Sequence, residues 1–104
     1  VPSDIIAATG PCICRDCFEV DADLGEKFQS EFGYPGISRP GRQGKAYVDL
    51  ELAAAVQFVE AGIRPENITL MNACTYEDRR HFFSHRRDKG ITGSMAAYIK
   101  LIQP

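Results

Sequence analysis

The chain has no tryptophan, no long apolar run and almost no net charge over its 104 residues. No apolar stretch approaches the roughly 20 residues that a membrane-spanning helix needs, so we do not expect a membrane protein. The 12 basic and 14 acidic residues leave a net charge of −2, which provides no overall attraction to nucleic acid or to a membrane surface. A hydrophobic fraction of 44% and a charged fraction of 25% are ordinary for a folded domain and argue against disorder.

The amino-terminal residues Val1–Asp4 lack the basic and apolar regions of a secretory signal. We therefore predict a cytoplasmic protein whose four cysteines are reduced thiols. The opening residues are typical of the interior of a longer protein, cut just before a strand.

Strands and helices are predicted to alternate in the first half of the chain. The apolar run over 5–9, which ends at Gly10-Pro11, predicts a buried strand. A helix is predicted over 21–32, with Asp21 as its N-cap and Gly33 as the residue that ends it. The buried stripe of this helix is predicted to be Leu24, Phe28 and Phe32.

The second half continues the alternation after a long loop over 33–44. Asp49 is predicted to cap a second helix that ends at Gly62, and residues 68–71 form a strand. The face of the second helix is predicted to be Leu52, Val56 and Val59. A polar segment over 76–93 follows, and residues 95–102 favour either a last strand or a short helix. The expected fold is therefore α/β, a mixed sheet with flanking helices that forms an incomplete part of a larger domain.

The first group of side chains that could bind a metal or react consists of Cys12, Cys14 and Cys17, which lie within six positions. Thiolates bind zinc or copper(I), so a metal site is one interpretation. Structural zinc sites usually need two separated ligand pairs, and the only other thiol is Cys74. We favour the alternative in which these small side chains pack at a turn between a strand and a helix.

The second cluster covers residues 74–76 and 79–88, with four arginines, two histidines and the pair Phe82-Phe83. Arginines match phosphate oxygens and histidine moves protons near neutral pH, so an anion or nucleoside site is one interpretation. A second interpretation is a basic patch that binds nucleic acid. A third interpretation is a solvated loop that its phenylalanines anchor to the core, and local chemistry favours this one. A nucleophilic pair of Cys74 with His81 or His85 is also possible, although a buried cysteine is the more frequent state.

Several short motifs, taken in order, resemble the laccase-domain family of YfiH type. The resemblance extends from about Ile5 to Leu101, nearly the whole chain. The motifs that carry it are Ile6–Ile13, Cys17–Val20, Tyr47–Leu50, Ala61–Ile63, Asn67-Ile68, Cys74–Tyr76, Phe82–Asp88 and Thr92–Ala97.

The resemblance implies that this chain is the carboxy-terminal part of a single domain about twice as long or more. Family members hold zinc or copper with two histidines and one cysteine in their amino-terminal half, in motifs that include a tryptophan. Neither motif is present here, so we expect that half to be a missing partner. No metal ligand is assigned to Cys12, Cys14, Cys17, Cys74, His81 or His85.

The resemblance also implies phosphorolysis of purine nucleosides such as adenosine and inosine, with related adenosine deaminase activity. The alternatives are a copper-dependent polyphenol oxidase of the same family and a non-enzymatic nucleotide- or RNA-binding α/β module. Phosphorolysis needs a cationic pocket that orients phosphate, which the arginines could provide. The isolated chain is expected to be inactive. The candidates for binding nucleoside or phosphate are Cys74, Tyr76, Ser84, His85, Arg86, Arg87 and Asp88.

Overall fold

The computed structural model describes residues 1–96, which form a mixed α/β arrangement with two small sheets. The strands are β1 (Ala7–Ala8), β2 (Glu19–Asp21), β3 (Ser38–Pro40), β4 (Lys45–Val48) and β5 (Ile68–Thr69). The helices are α1 (Ala22–Phe32), α2 (Leu50–Glu60) and α3 (His85–Asp88), with 3₁₀ turns at Pro2–Asp4 and Pro65–Asn67. The α/β class predicted from the sequence is therefore confirmed. The last element, predicted over 95–102, lies largely outside the described residues.

The smaller sheet contains only β1 and β5, which run parallel with Ala7 opposite Ile68. Both strands were predicted, but each is shorter than its apolar run. Ile5 and Ile6 precede β1 and remain 48% and 80% exposed. Two paired residues on each side make a weak sheet, because a strand pair needs further strands or a packed face for stability.

The larger sheet is antiparallel in the order β2-β4-β3, and here the sequence prediction was wrong. Residues 33–44 were predicted to be one loop, but they contain β3. Neither β2 nor β4 was predicted. The glycines and prolines concealed β3, because Pro40 lies on an edge strand, where a missing N–H is tolerated. The central strand β4 pairs on both sides and buries Ala46 and Val48.

Helix α1 follows Asp21 and ends at Gly33, as predicted. Gly33 adopts the left-handed conformation (φ 64°), and its N–H donates to the Gln29 carbonyl at 2.9 Å. The Asp21 carboxylate, however, makes no capping hydrogen bond in α1 and accepts instead from Lys45 Nζ at 2.7 Å. The predicted stripe was wrong at Leu24, which is 43% exposed. The buried position on α1 is Gly25, because the helix approaches the sheet too closely for a larger side chain.

Helix α2 begins at the predicted cap, where the Asp49 carboxylate accepts from the Leu52 N–H at 3.0 Å. Capping of this kind is worth roughly 1 kcal/mol. The buried residue of α2 is Ala53, whereas Val59 on the predicted face is 47% exposed. One side of α2 is therefore left without a packing partner among the described residues.

The core is small and lies under the larger sheet. Val20, Ala46 and Val48 form it, with Phe18, Phe28 and Leu50 packed around them. The accessible surface is 7875 Å², whereas a compact monomer of this mass, 11.5 kDa, exposes about 5,800 Å². No helix among residues 1–96 is both long enough and apolar enough to cross a membrane.

Candidate functional site

A parallel bridge brings two distant cysteine segments together beyond the ends of β1 and β5. The Cys12 N–H donates to the Ala73 carbonyl at 3.2 Å, and the Thr75 N–H donates to the Cys12 carbonyl at 3.1 Å. Parallel strands point their carboxyl ends to the same edge, so the segments that leave β1 and β5 emerge side by side. The bridge therefore places the loop 12–17 against the segment 74–77.

Four side chains converge at this bridge, and we call Cys14, Cys17, Cys74 and Glu77 the thiol cluster. The Sγ atoms of Cys14 and Cys17 are 3.6 Å apart. Glu77 Oε1 lies 3.2 Å from Cys17 Sγ and 4.0 Å from Cys14 Sγ. The Sγ atom of Cys74 accepts a hydrogen bond from the Cys14 N–H at 3.3 Å. All four potential ligand atoms lie within 4.8 Å of one another, so the thiol cluster could hold a metal ion.

The members of the thiol cluster differ in their ease of ionisation. Burial, and then hydrogen bonds with Glu77 and Cys14, raise the pKa of Cys17 well above its ordinary value. Burial and the Cys74 sulfur likewise raise the pKa of Cys14. Burial acts in the same direction at Cys74, but backbone N–H groups of Cys14 and Glu77 stabilise its thiolate and keep its pKa below the ordinary value. Cys74 is therefore the most readily ionised thiol of the cluster.

Cys12 stands apart from the thiol cluster and borders an acidic cavity of about 180 Å³. The cavity is also lined by Asp49, Glu51 and Asn72. Burial, and then the negative charges of Glu51 and Asp49, raise the pKa of Cys12. Of the three thiols that are close in sequence, Cys14 and Cys17 therefore belong to the thiol cluster and Cys12 does not.

The predicted arginine-rich segment folds around a second cavity, of about 400 Å³. We call it the arginine cleft, and its lining includes Arg79, Arg80, His81, Phe82, Phe83 and Arg87. Phe83 is 49% exposed and offers an aromatic surface beside the guanidinium groups. The cleft therefore combines positive charge with a face on which a planar base could stack.

A carboxylate orients the histidine of the arginine cleft. His81 Nδ1 lies 3.0 Å from both carboxylate oxygens of Asp78, three residues earlier. Partial burial acts to raise the pKa of Asp78, but the hydrogen bond and charge of His81 keep it below its ordinary value. A carboxylate on Nδ1 favours the tautomer that leaves Nε2 free to accept a proton.

The two arginines predicted to bind phosphate are both engaged by the protein. Arg87 is only 12% exposed and pairs with the Asp88 carboxylate through two bonds of 3.0 Å. Its remaining N–H groups donate to the carbonyls of Thr75 (2.7 Å) and Phe82 (2.9 Å). Arg86 donates to the Glu19 carbonyl at 2.8 Å, and its guanidinium lies 5.4 Å from the centre of the Phe18 ring.

The other predicted candidates divide between buried and exposed positions. Ser84 is buried, and its hydroxyl accepts from the Arg87 N–H at 3.2 Å, which caps α3. Cys74 is buried, as the sequence analysis favoured, and its Sγ lies in the thiol cluster with Cys14, Cys17 and Glu77. Tyr76 and His85 are exposed.

Sequence reasoning missed Glu77 and Asp78. Both had a detectable signal, because Cys74-x-x-Glu77 has the same spacing as Cys14-x-x-Cys17, and Asp78 precedes His81 by three residues. That spacing lets both members of a pair point to one side of a single turn.

Comparison with known proteins decides the family. Residues 1–102 match the family described as multi-copper polyphenol oxidoreductase laccase. The chain belongs to this laccase family. The sequence-based resemblance to YfiH-type laccase-domain proteins is confirmed.

Curated relatives carry the names of nucleoside enzymes. The chain is 37% identical to the purine nucleoside phosphorylase YlmD of Geobacillus stearothermophilus, over 94% of this chain and 36% of the relative. It is 40% identical to the adenosine deaminase RL5 of an unknown prokaryotic organism, over 80% of this chain and 32% of the relative. The chain therefore spans about a third of the length of these relatives.

Solved structures agree with this laccase-family fold. The crystal structure of YlmD from Geobacillus stearothermophilus matches with a TM-score of 0.80 and 35% identity, over 88% of this chain and 35% of that one. The Bacillus licheniformis protein YfiH matches with a TM-score of 0.77 and 32% identity, over 86% of this chain and 34% of that one. The chain thus corresponds to part of a larger fold.

The metal set that the resemblance implied, two histidines and one cysteine, does not fit the described residues. Residues 1–96 contain one group of side chains close enough to share a metal ion, and it includes no histidine. His81 and His85 are both exposed, and His81 is bonded to Asp78.

Proposed function

We propose that the full-length protein containing this laccase chain catalyses the phosphorolysis of purine nucleosides, with adenosine and inosine as substrates. The observation that carries the proposal is its 37% identity, over 94% of the chain, to a protein named purine nucleoside phosphorylase. Two further relatives with the same name are 35% and 31% identical to this chain. The deaminase name of a fourth relative supports a related deamination of adenosine.

Phosphorolysis transfers the ribosyl group from a base to phosphate. A phosphate oxygen attacks C1′, the bond from C1′ to N9 breaks, and the purine leaves with a proton on its ring. The products are ribose 1-phosphate and the free base. The enzyme must therefore hold a dianion beside a sugar and keep a planar base in place, which calls for cations and an aromatic face.

The arginine cleft has the chemistry for this task. Arg79 and Arg80 are exposed and make no ion pair within the described residues, so their guanidinium groups are open to a phosphate. Phe83 supplies the exposed ring for the base, and His81, oriented by Asp78, can hold or donate the proton. Both chemistries lie in one cavity.

The residues predicted from the sequence then have two kinds of role. We assign the exposed Tyr76 and His85 to contact with nucleoside or phosphate. The buried or internally bonded candidates hold the wall of the pocket in shape. They are Cys74, Ser84, Arg86, Arg87 and Asp88.

The remainder of the protein is the proposed partner of this chain, and it would hold the zinc or copper of the family. Several apolar side chains are exposed to solvent, among them Ile6 at 80% and Met71 at 49%. Ile6 precedes β1 and Met71 follows β5, so the segment that covers them would extend the smaller sheet. A reducing compartment such as the cytoplasm suits Cys14 and Cys17, which lie 3.6 Å apart as thiols.

The first experiment follows inosine and phosphate in the presence of the full-length protein and measures hypoxanthine and ribose 1-phosphate. Changing both Arg79 and Arg80 to alanine should raise the KM for phosphate at least roughly tenfold, because a bond to a charged group is worth about 1.5–3 kcal/mol. Lys27→Ala, which removes an exposed cation from α1, is the matched control and should leave KM unchanged.

The outcomes distinguish a failure of the proposed activity from a failure of the proposed phosphate site. Absence of phosphorolysis in the wild-type protein would contradict the proposed function. Turnover with an unchanged phosphate KM in the double variant would contradict the arginine cleft as the phosphate site.

Oxidation of phenols is the second candidate, since the family description names a copper polyphenol oxidoreductase. Oxygen consumption with a phenol as substrate tests it on the same protein. Rapid oxidation without any phosphorolysis would favour this alternative.

A further inference from the structure

The thiol cluster consists of two ligand pairs with identical spacing. Cys14 and Cys17 form one pair and Cys74 and Glu77 the other, each with two residues between its members. Structural zinc sites are commonly built from two such pairs, brought together from distant parts of the chain. The bridge between Cys12 and Cys74 provides that approach here across about 60 residues of sequence.

The distances agree with tetrahedral coordination. Zinc bonds of about 2.3 Å to sulfur and 2.0 Å to oxygen separate two sulfur ligands by about 3.8 Å, and a sulfur from an oxygen by about 3.5 Å. The Sγ atoms of Cys14 and Cys17 are 3.6 Å apart. Glu77 Oε1 is 3.2 Å and 4.0 Å from these two sulfurs. These three separations lie within about half an ångström of the tetrahedral values, and the Cys74 Sγ lies within 4.8 Å of the other three ligand atoms.

We propose that Cys14, Cys17, Cys74 and Glu77 bind one Zn²⁺ ion in a closed, structural site. Four protein ligands leave no coordination position for a substrate, which is typical of structural zinc. The oxygen ligand favours zinc over copper(I), because copper(I) selects soft sulfur donors. The site is separate from the histidine-containing metal set implied by the family resemblance and does not depend on the proposed phosphorylase activity.

Backbone hydrogen bonds already orient these ligands. The Cys14 N–H donates to Cys74 Sγ at 3.3 Å, and the Cys17 N–H donates to the Cys14 carbonyl at 3.0 Å. The Asp78 N–H donates to the Cys74 carbonyl at 3.0 Å, which closes the turn that carries Glu77. Outer contacts of this kind fix the direction of a ligand before the ion arrives.

At this position, a bound ion would link two segments that are far apart in the sequence. Residues 9–18 connect β1 of the smaller sheet with β2 of the larger one and carry Cys14 and Cys17, whereas Cys74 and Glu77 follow β5. The core is small, and its largest fully buried side chains within the described residues are Ile37 and Val48. A bound ion would join the connection to the segment after β5 and supply stability that hydrophobic burial does not.

Cobalt(II) substitution and zinc analysis of the full-length protein test the site. Thiolate-bound tetrahedral cobalt gives intense charge-transfer and ligand-field bands, which the wild-type protein should show. Cys14→Ser and Cys17→Ser should abolish most of this absorption and lower the zinc content by one equivalent per chain. Cys12→Ser is the matched control, because Cys12 lies in the same loop but outside the thiol cluster, and it should keep both bands and zinc.

Two variants of the exposed Glu77 distinguish loss of a metal ligand from loss of folding. Glu77→Cys adds a fourth thiolate and should strengthen the charge-transfer bands and tighten zinc binding. Glu77→Gln keeps three thiolates and should weaken zinc binding while the protein stays folded.

Three results would overturn the zinc site. The first is a wild-type protein without thiolate–cobalt bands, and the second is a zinc content that neither serine substitution lowers. The third is a mass two hydrogens lower under reducing purification, with Cys14 and Cys17 joined as a disulfide. Preferential uptake of copper(I) over zinc would likewise contradict the proposed ion.

Discussion

At the residue scale, the Arg87 side chain holds together a segment with little regular structure. Its guanidinium joins the carbonyls of Thr75 and Phe82 to the carboxylate of Asp88. A planar group with five donors suits this task, and a lysine could not replace all of these bonds. The walls of the arginine cleft and the turn that carries Glu77 both depend on this one side chain.

The Arg87–Asp88 pair predicts a pH dependence. The hydrogen bond from Arg87 lowers the pKa of Asp88, so the unfolded chain binds a proton at this position more readily than the folded one. Stability from the pair is therefore present above about pH 4, the ordinary range of an aspartate, and is lost as pH falls further. Asp88→Asn should lower the Tm at pH 7, and its difference from wild type should shrink at pH 3.

Thermal unfolding followed by circular dichroism between pH 3 and pH 7 measures this difference. Asp23→Asn removes an exposed carboxylate from α1 and is the matched control. A Tm difference for Asp88→Asn that stays constant across the range would contradict the role of the ion pair.

At the element scale, α1 lies so close to the larger sheet that only glycine fits between them. A methyl group at Gly25 would lie 2.6 Å from the Ala46 Cβ and 2.8 Å from the Ser38 hydroxyl. Gly25→Ala gains helix propensity of about 1 kcal/mol but forces the helix away from β4, at a typical cost of 1–3 kcal/mol. We expect a net loss of stability.

Gly10→Ala is the matched control, because its new methyl group would have no neighbour within 4 Å. Urea unfolding of both variants gives the free energies to compare. Stabilisation by Gly25→Ala, of the size expected from helix propensity alone, would show that the helix can move without cost.

At the scale of the whole molecule, the chain spans about a third of the length of its relatives and exposes many apolar side chains. The laccase-family relatives are about three times longer, and many large apolar side chains are exposed, such as Ile91 at 89%. A domain completed by another segment would cover much of this surface, since contiguous apolar patches on monomers are usually small.

Two results are expected from the isolated 104-residue chain. It should bind a hydrophobic dye such as ANS strongly, and with inosine, phosphate and metal it should release no hypoxanthine. The full-length protein is the control and should bind the dye weakly. Turnover by the isolated chain would show that the catalytic groups lie within these residues.

Local signals in the sequence were sufficient for several features. The ends of α1 and α2 were predictable because Gly33 and Asp49 act through bonds to residues within four positions. The α/β class and the family followed from the order of short motifs. The arginine-rich segment was recognised for the same reason, since its residues are neighbours in sequence and line one cavity.

Only the tertiary structure decided which residues meet. The antiparallel pairing of β4 with β2 and β3 formed a sheet of which no strand was predicted from the sequence. The approach of Cys74 to Cys14, and the internal engagement of Arg87, depend on contacts between residues far apart in the chain. Sequence spacing reports on neighbours within a turn, whereas the free energy of these long-range contacts depends on how the whole chain packs.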